Sequence, residues 1–163
     1  MLRIARARVP EATFHAASLT RATIPPCDAV VAIGEVVSYV PTSLGAFFRR
    51  VHDALEPGGV FIFDFMESAE RRTYAARIFG GSDWHMILRA DLDAAGRTLT
   101  RRLTMFRKVG KEYRRSRETH RVTLRSRQDV RKMLVSAGFT VKMRCSYGGY
   151  RLLPGDVTVV ARR

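Results

Sequence analysis

The chain has 163 residues and 46% hydrophobic content with a mean hydropathy of −0.13, enough apolar material for a single domain over residues 1–163 with a buried core. No apolar run approaches the ~20 residues that span a bilayer; the basic start at residues 1–8 lacks a signal peptide's apolar stretch, and Cys27 and Cys145 stand alone without metal-ligand spacing, which fits a reduced, cytoplasmic setting and no metal site. The net charge of +14 is carried mostly by arginine, densest from residue 97 to 131, yet no zinc-finger spacing, RNP-type aromatic strand or clear helix-turn-helix accompanies it, so two readings stand: a solvated basic surface, or a face that contacts an anionic substrate or RNA.

In chain order, Leu2, Ile4 and Ala5 suit the tail of a helix that Pro10 stops. Residues 12–17, Ala-Thr-Phe-His-Ala-Ala, read as a short strand, and 18–26 as a loop. The apolar run 29–33 is too continuous for a half-exposed edge and predicts a central strand. A loop from Glu35 to Pro41 leads to a helix capped by Thr42 or Ser43, with Leu44, Phe47, Phe48, Val51 and Leu55 on its inner face. Pro57-Gly58-Gly59 ends that helix, and residues 60–65 form the next buried strand. Strand, helix and strand make a right-handed βαβ crossover, which requires a parallel pair.

From residue 84 onward the pattern changes to alternation broken by turns. Residues 84–90, 98–107 and 117–124 read as a three-stranded antiparallel meander, with turns at Asp93-Ala94-Ala95-Gly96 and Val109-Gly110-Lys111. Ser126 and Asp129 have capping-box spacing for a last helix whose inner face is Val130, Met133, Leu134 and Ala137, ended by Gly138. Residues 140–145 and 156–161 are closing strands joined through the loop Tyr147-Gly148-Gly149-Tyr150.

Four segments together resemble the class I S-adenosylmethionine-dependent methyltransferases, particularly their small-molecule branch. Met1, Leu2, Ala5, Arg8, Pro10, Ala12 and Phe14 look like the family's helix after its second strand running into its third; Asp28-Ala29-Val30-Val31 with Gly34 looks like its fourth strand. Leu55 with Pro57-Gly58-Gly59 is similar to the turn before the fifth, and Leu134 with Ala137-Gly138-Phe139 to the approach to the sixth. The resemblance implies an α/β, Rossmann-like, mostly parallel sheet with flanking helices and an antiparallel cap inserted at about 66–125. It implies S-adenosyl-L-methionine as cofactor and a small-molecule acceptor as partner, with nucleic acid the less favoured partner. The family's glycine-rich turn after its first strand has no counterpart here: of the glycine pairs Gly58-Gly59, Gly80-Gly81 and Gly148-Gly149, none both follows a strand and opens a helix. The matching part begins inside the family's second helix, so the sheet is expected to be truncated at its amino-terminal side and catalysis by this chain alone impaired.

By the same resemblance Ala17-Ser18-Leu19 stand at the adenine-contacting turn, with Ser18 in place of a more usual Asp, unless Ser18 is simply a loop serine. Ala32-Ile33-Gly34 would lie by the methionyl part of the cofactor, Gly34 permitting close backbone approach. Glu35 is placed to oppose the sulfonium charge or accept a proton, or else is a surface glutamate. Asp64, inside an apolar strand, must reach the carboxyl-end cleft or pair with a cation, because an unpartnered buried carboxylate is costly. Tyr39, Trp84, Tyr113, Tyr147 and Tyr150 are candidates to line an acceptor pocket, each with core or rim packing as its alternative. His85 and His120 are general-base candidates by their titration range, His85 being the one placed with Glu35 in the catalytic set and His120 lying in a regularly alternating strand.

Overall fold

The computed structural model describes residues 2–68 and 75–163; Met1 and residues 69–74 of the expected cap insertion lie outside the described residues. Helix α1 (Leu2–Arg8) comes first, and none of its residues is buried. Next comes a four-stranded sheet, in the order β1 (Cys27–Ala32), β2 (Leu55–Met66), β10 (Asp156–Arg162), β7 (Thr140–Arg144). The crossover is as expected: β1 and β2 run parallel with Val31 opposite Ile62, joined through helix α2 (Leu44–Ala54). Strand β10 runs antiparallel to both β2 and β7, so three of the four strands point the same way.

The core lies on one face of this sheet. Phe61, Phe63 and Phe65 of β2 share that face with Ala161, Val159 and Val157 of β10, and all six are at most 2% exposed. Against them pack Leu44, Phe47, Phe48 and Val51 of α2 and Val130 and Leu134 of helix α3 (Arg127–Ser136), so both predicted apolar helix faces point inward. Phenylalanine rings touch along this layer, Phe61 stacking on Phe63 with centroids 4.5 Å apart and meeting Phe47 edge-on.

The antiparallel layer has four strands rather than three: β3 (Arg77–Gly80), β4 (Trp84–Leu92), β5 (Thr98–Val109) and β6 (Glu112–Thr123). The added β3 is short and fully exposed, without the alternation of burial that a sequence pattern reports. The turn between β4 and β5 is held by Asp93, whose carboxylate accepts from the backbone of Arg97 and Thr98 at 2.7 and 3.0 Å. Both layers meet at a small second core of Met66, Leu99, Val122 and Leu124. A hairpin of β8 (Ser146–Tyr147) and β9 (Tyr150–Arg151) occupies the predicted Gly-Gly loop.

Several expectations need correction. Residues 12–17 form no strand: Phe14 has no sheet neighbour, so its apolar content alone does not order it. Strand β1, expected to be central, is an edge, with Val31 60% and Ile33 52% exposed. Pro57-Gly58-Gly59 lies within β2 as an irregularity: Cys27 faces Leu55 and Ala29 faces Val60, so the register slips across it. Gly58 takes φ +82° there, and a Cβ on Gly59 would sit 2.8 Å from the Glu56 carbonyl oxygen, which explains both glycines. Ser43 is the N-cap of α2 but makes no side-chain cap bond, being held at φ 64°.

Candidate functional site

Strands β1 and β2 both end toward the cap, and the chain leaves β1 through a tight left-handed turn. Gly34 has φ 91° and Glu35 φ 59°, so their two backbone N–H groups converge. Asp64 near the end of β2 fills that concavity, accepting from Gly34 at 3.1 Å and from Glu35 at 2.5 Å. Tyr147 in the hairpin donates its hydroxyl to the same carboxylate at 2.9 Å. Asp64 is thus held at the turn beyond β1, and among the described residues it forms no ion pair; three neutral donors meet its carboxylate in a site only 5% exposed. Desolvation, then the Asp64 carboxylate, push the Tyr147 phenol well above its ordinary range.

Beyond the turn, the chain runs along the cap. Glu35 points to the cap and pairs with Arg101 of β5 at 2.9 Å. Residues Val36–Tyr39 form one 3-10 turn, where buried Ser38 accepts from the Met66 N–H at 3.2 Å. Tyr39 ends it, its hydroxyl 3.1 Å from Nδ1 of His120 on β6. The other nitrogen of that imidazole, Nε2, is 3.2 Å from the Glu118 carboxylate. Burial raises the Tyr39 pKa, Arg101 pulls it back and Glu35 adds to the rise. Arg125 closes the joint, donating to the carbonyls of Val40 and Pro41, and burial lowers its pKa.

Beside this turn runs an open groove of about 490 Å³, lined by Ser18, Leu19 and Thr20 on one side and by Val36, Tyr39, Val40, Pro41 and Thr42 on the other. Ser18 and Leu19 therefore stand across from Tyr39. Their loop is tied down from α2, where the Arg50 guanidinium donates to the Leu19 carbonyl at 2.7 Å. Ala17 is exposed next to Ser18, and Ala32, Ile33 and Gly34 form the end of β1 and the turn itself. Added bulk at Gly34 would meet nothing within 4 Å, so its backbone faces open space.

The cap residues divide by sheet face. His120 pairs with Arg101 and Ala90, so these three share the face toward the turn, together with Leu88, Leu103 and Glu118 and then Met86, Met105 and Ser116. His85 is offset by an odd number of residues from Ala90 and lies on the opposite face, over Gly80 of β3. It does not join the group around Glu35. Trp84 is on the turn-facing side but six residues from Ala90, roughly 20 Å along the strand, and its ring covers Gly81. Tyr113 is on the outward face and Tyr150 is 70% exposed in the hairpin, so neither meets the groove. No local pattern in the sequence marks Arg101, Ser38 or Glu118 as members of this group. The spacing of Glu118 and His120, two apart in an alternating strand, says only that the two share a face.

Compared with known proteins, the sequence matches no family model and no curated protein. The structure does resemble solved ones. An S-adenosylmethionine-dependent methyltransferase from Clostridium acetobutylicum superposes with a TM-score of 0.86 at 16% identity, over 99% of this chain and 70% of that one. DesVI of Streptomyces venezuelae gives 0.80 at 21%, over 98% and 69%. CalS10, an amino pentose methyltransferase of Micromonospora echinaspora solved with S-adenosylmethionine bound, gives 0.76 at 19%, over 99% and 69%. The chain has the class I methyltransferase fold, with its mixed sheet and antiparallel cap, and spans about 70% of the length of the first of these structures.

Proposed function

We propose that this chain carries out S-adenosylmethionine-dependent methyl transfer to a small-molecule acceptor. The observation that carries the reading is the groove in which the Ser18–Leu19–Thr20 loop faces Val36 and Tyr39, directly beyond the parallel strand β1. Its lining suits the cofactor in part: Ser18, Thr20 and Thr42 offer hydroxyls to a nucleoside, Leu19, Val36 and Val40 offer apolar contact, and the open Gly34 backbone admits the methionyl end. S-adenosylmethionine supplies an electrophilic methyl group, so the chain's own groups need only bind, align the acceptor and exclude water. In this reading Glu35, paired to Arg101, fixes the turn to the cap, Tyr39 walls the acceptor, and Asp64 and Tyr147 hold the turn that carries both.

Among the described residues no carboxylate lines the groove to hold ribose hydroxyls, and the outer edge of β1 is unpaired. Cofactor affinity and turnover by this chain alone are therefore expected to be weak. Titration calorimetry of S-adenosylhomocysteine into the 163-residue chain tests the reading. Saturable one-to-one binding, weakened in a Leu19→Asp variant, supports it; no heat at millimolar ligand sinks it.

A second reading rests on the outward face of the cap, where Arg89, Arg102, Arg115, Arg117 and Arg121 lie on one side of the sheet with only Asp91 of opposite charge along the same register rows, paired to Arg102. Such a face suits a polyanion such as RNA. Binding of a fluorescent oligonucleotide that falls steeply with added salt would favour it, because contacts to phosphates release counterions.

A further inference from the structure

Resting on the methyltransferase reading, we propose that Tyr39, His120 and Glu118 form a proton relay that deprotonates an amine acceptor. The three groups come from elements far apart in sequence, the turn after β1 and strand β6, yet they line up within hydrogen-bond reach: Tyr39 Oη to His120 Nδ1 at 3.1 Å and His120 Nε2 to Glu118 at 3.2 Å. Chemistry sets the direction of the chain. A carboxylate only accepts, so Nε2 carries the hydrogen toward Glu118, which leaves Nδ1 bare to accept from the Tyr39 hydroxyl.

Position links the relay to the groove. Tyr39 belongs to both: it is among the residues lining the groove, and its hydroxyl reaches His120 on the cap. Each member is reachable by solvent: the His120 side chain is 34% and that of Glu118 52% exposed. The charged and titratable groups facing His120 are Glu118 on its own strand, Arg101 opposite it on β5, and Tyr39 and Glu35 on the turn. Arg101 is paired with Glu35, so the carboxylate left to stabilise an imidazolium, or to attract an ammonium, is Glu118. The same cap face continues into Leu88, Leu103, Met86 and Met105, an apolar bed for the body of such an acceptor.

An amine is mostly protonated near neutral pH and has no lone pair to give in that form. In the relay one N–H bond of the ammonium breaks and its electron pair stays on nitrogen. The proton passes to the Tyr39 oxygen as the Tyr39 proton passes to His120 Nδ1. The resulting imidazolium is held by Glu118 and returns the proton to water. A neutral alcohol carries no charge for Glu118 to attract, which sets the amine apart.

The test uses the full chain, imidazole NMR and cyclohexylamine as probe, with cyclohexanol as the matched neutral control. The His120 resonances should report the Nε2–H tautomer, and that preference should weaken in Glu118→Gln. Cyclohexylamine should shift those resonances at a concentration at least tenfold below that needed for cyclohexanol, and both Glu118→Gln and Tyr39→Phe should reduce the difference to less than threefold. The opposite tautomer, or equal responses to amine and alcohol, overturns the relay. Circular dichroism of each variant separates loss of fold from loss of the relay. Calorimetry with S-adenosylhomocysteine reports independently on the methyltransferase reading: retained cofactor binding with no amine preference rejects the relay alone.

Discussion

Asp64 shows how a single charge organises this site. A carboxylate buried to 5% exposure inside a phenylalanine-rich strand is costly unless each lone pair meets a donor. Here the donors are the N–H groups of Gly34 and Glu35 and the Tyr147 hydroxyl. Replacing it by asparagine keeps the volume but turns an NH2 group toward backbone N–H groups, so Asp64→Asn should lower unfolding stability by about 1–3 kcal/mol in urea titrations. Unchanged stability would mean that the turn holds itself. Tyr147 adds a pH signature. Its folded pKa is raised above the ordinary 10.0, first by desolvation and then by Asp64, so its contribution is intact below that value and is lost as pH rises through the higher folded one. Tyr147→Phe should therefore lose less stability than the parent between pH 9 and 11, as thermal melts across that alkaline range will show. The sequence marked Asp64 as anomalous, but its partners lie about 30 residues upstream and 83 downstream, beyond the reach of any local pattern.

At the scale of elements, the two main helices start in physically different ways. Ser126 is an ordinary N-cap: its hydroxyl oxygen accepts from the Asp129 N–H at 3.0 Å and is 2.7 Å from the Asp129 carboxylate. Ser43 occupies the same position before α2 but in a left-handed conformation, and no backbone N–H reaches its side chain. Ser126→Ala should cost about 1 kcal/mol, whereas Ser43→Ala should be close to neutral; equal losses in chemical unfolding would contradict this contrast. Both serines look alike in sequence, since the spacing of a capping residue says nothing about its φ. Helix faces, by comparison, were legible: Leu44, Phe47, Phe48 and Val51 are 0–4% exposed, as their spacing requires. Residues 12–17 and strand β3 mark the limit, because a short strand is decided by whether a neighbour is present rather than by its own composition.

Across the whole molecule, two layers are joined by a few polar clamps and one small apolar joint. Arg101 pairs with Glu35, Arg127 with Glu67 at 2.9 Å, and Arg125 with the carbonyls at the end of the 3-10 turn. The Arg101–Glu35 pair is the most enclosed of these, with side chains 22% and 19% exposed. Arg101→Met should strand Glu35 in a half-buried site and cost about 1–3 kcal/mol. Hydrogen exchange should then speed up in β5 and β6 more than in β2 and β10. Uniform exchange across both layers would show that the cap is held by the Met66–Leu99–Val122–Leu124 cluster instead.

The sequence by itself determined the crossover, the helix faces, the closing strands and the alternating cap, because each is written in contiguous residues with a fixed period. It also singled out Ser18, Leu19 and Tyr39 of the groove, but neither their grouping nor the residues between them. Only the tertiary structure decided that Tyr39 meets His120, that Arg101 claims Glu35, that His85 turns to the other face and that β1 stands at an edge. Those outcomes depend on how two layers dock and on which strands lie side by side, and non-local contacts of that kind leave no periodic trace along the chain.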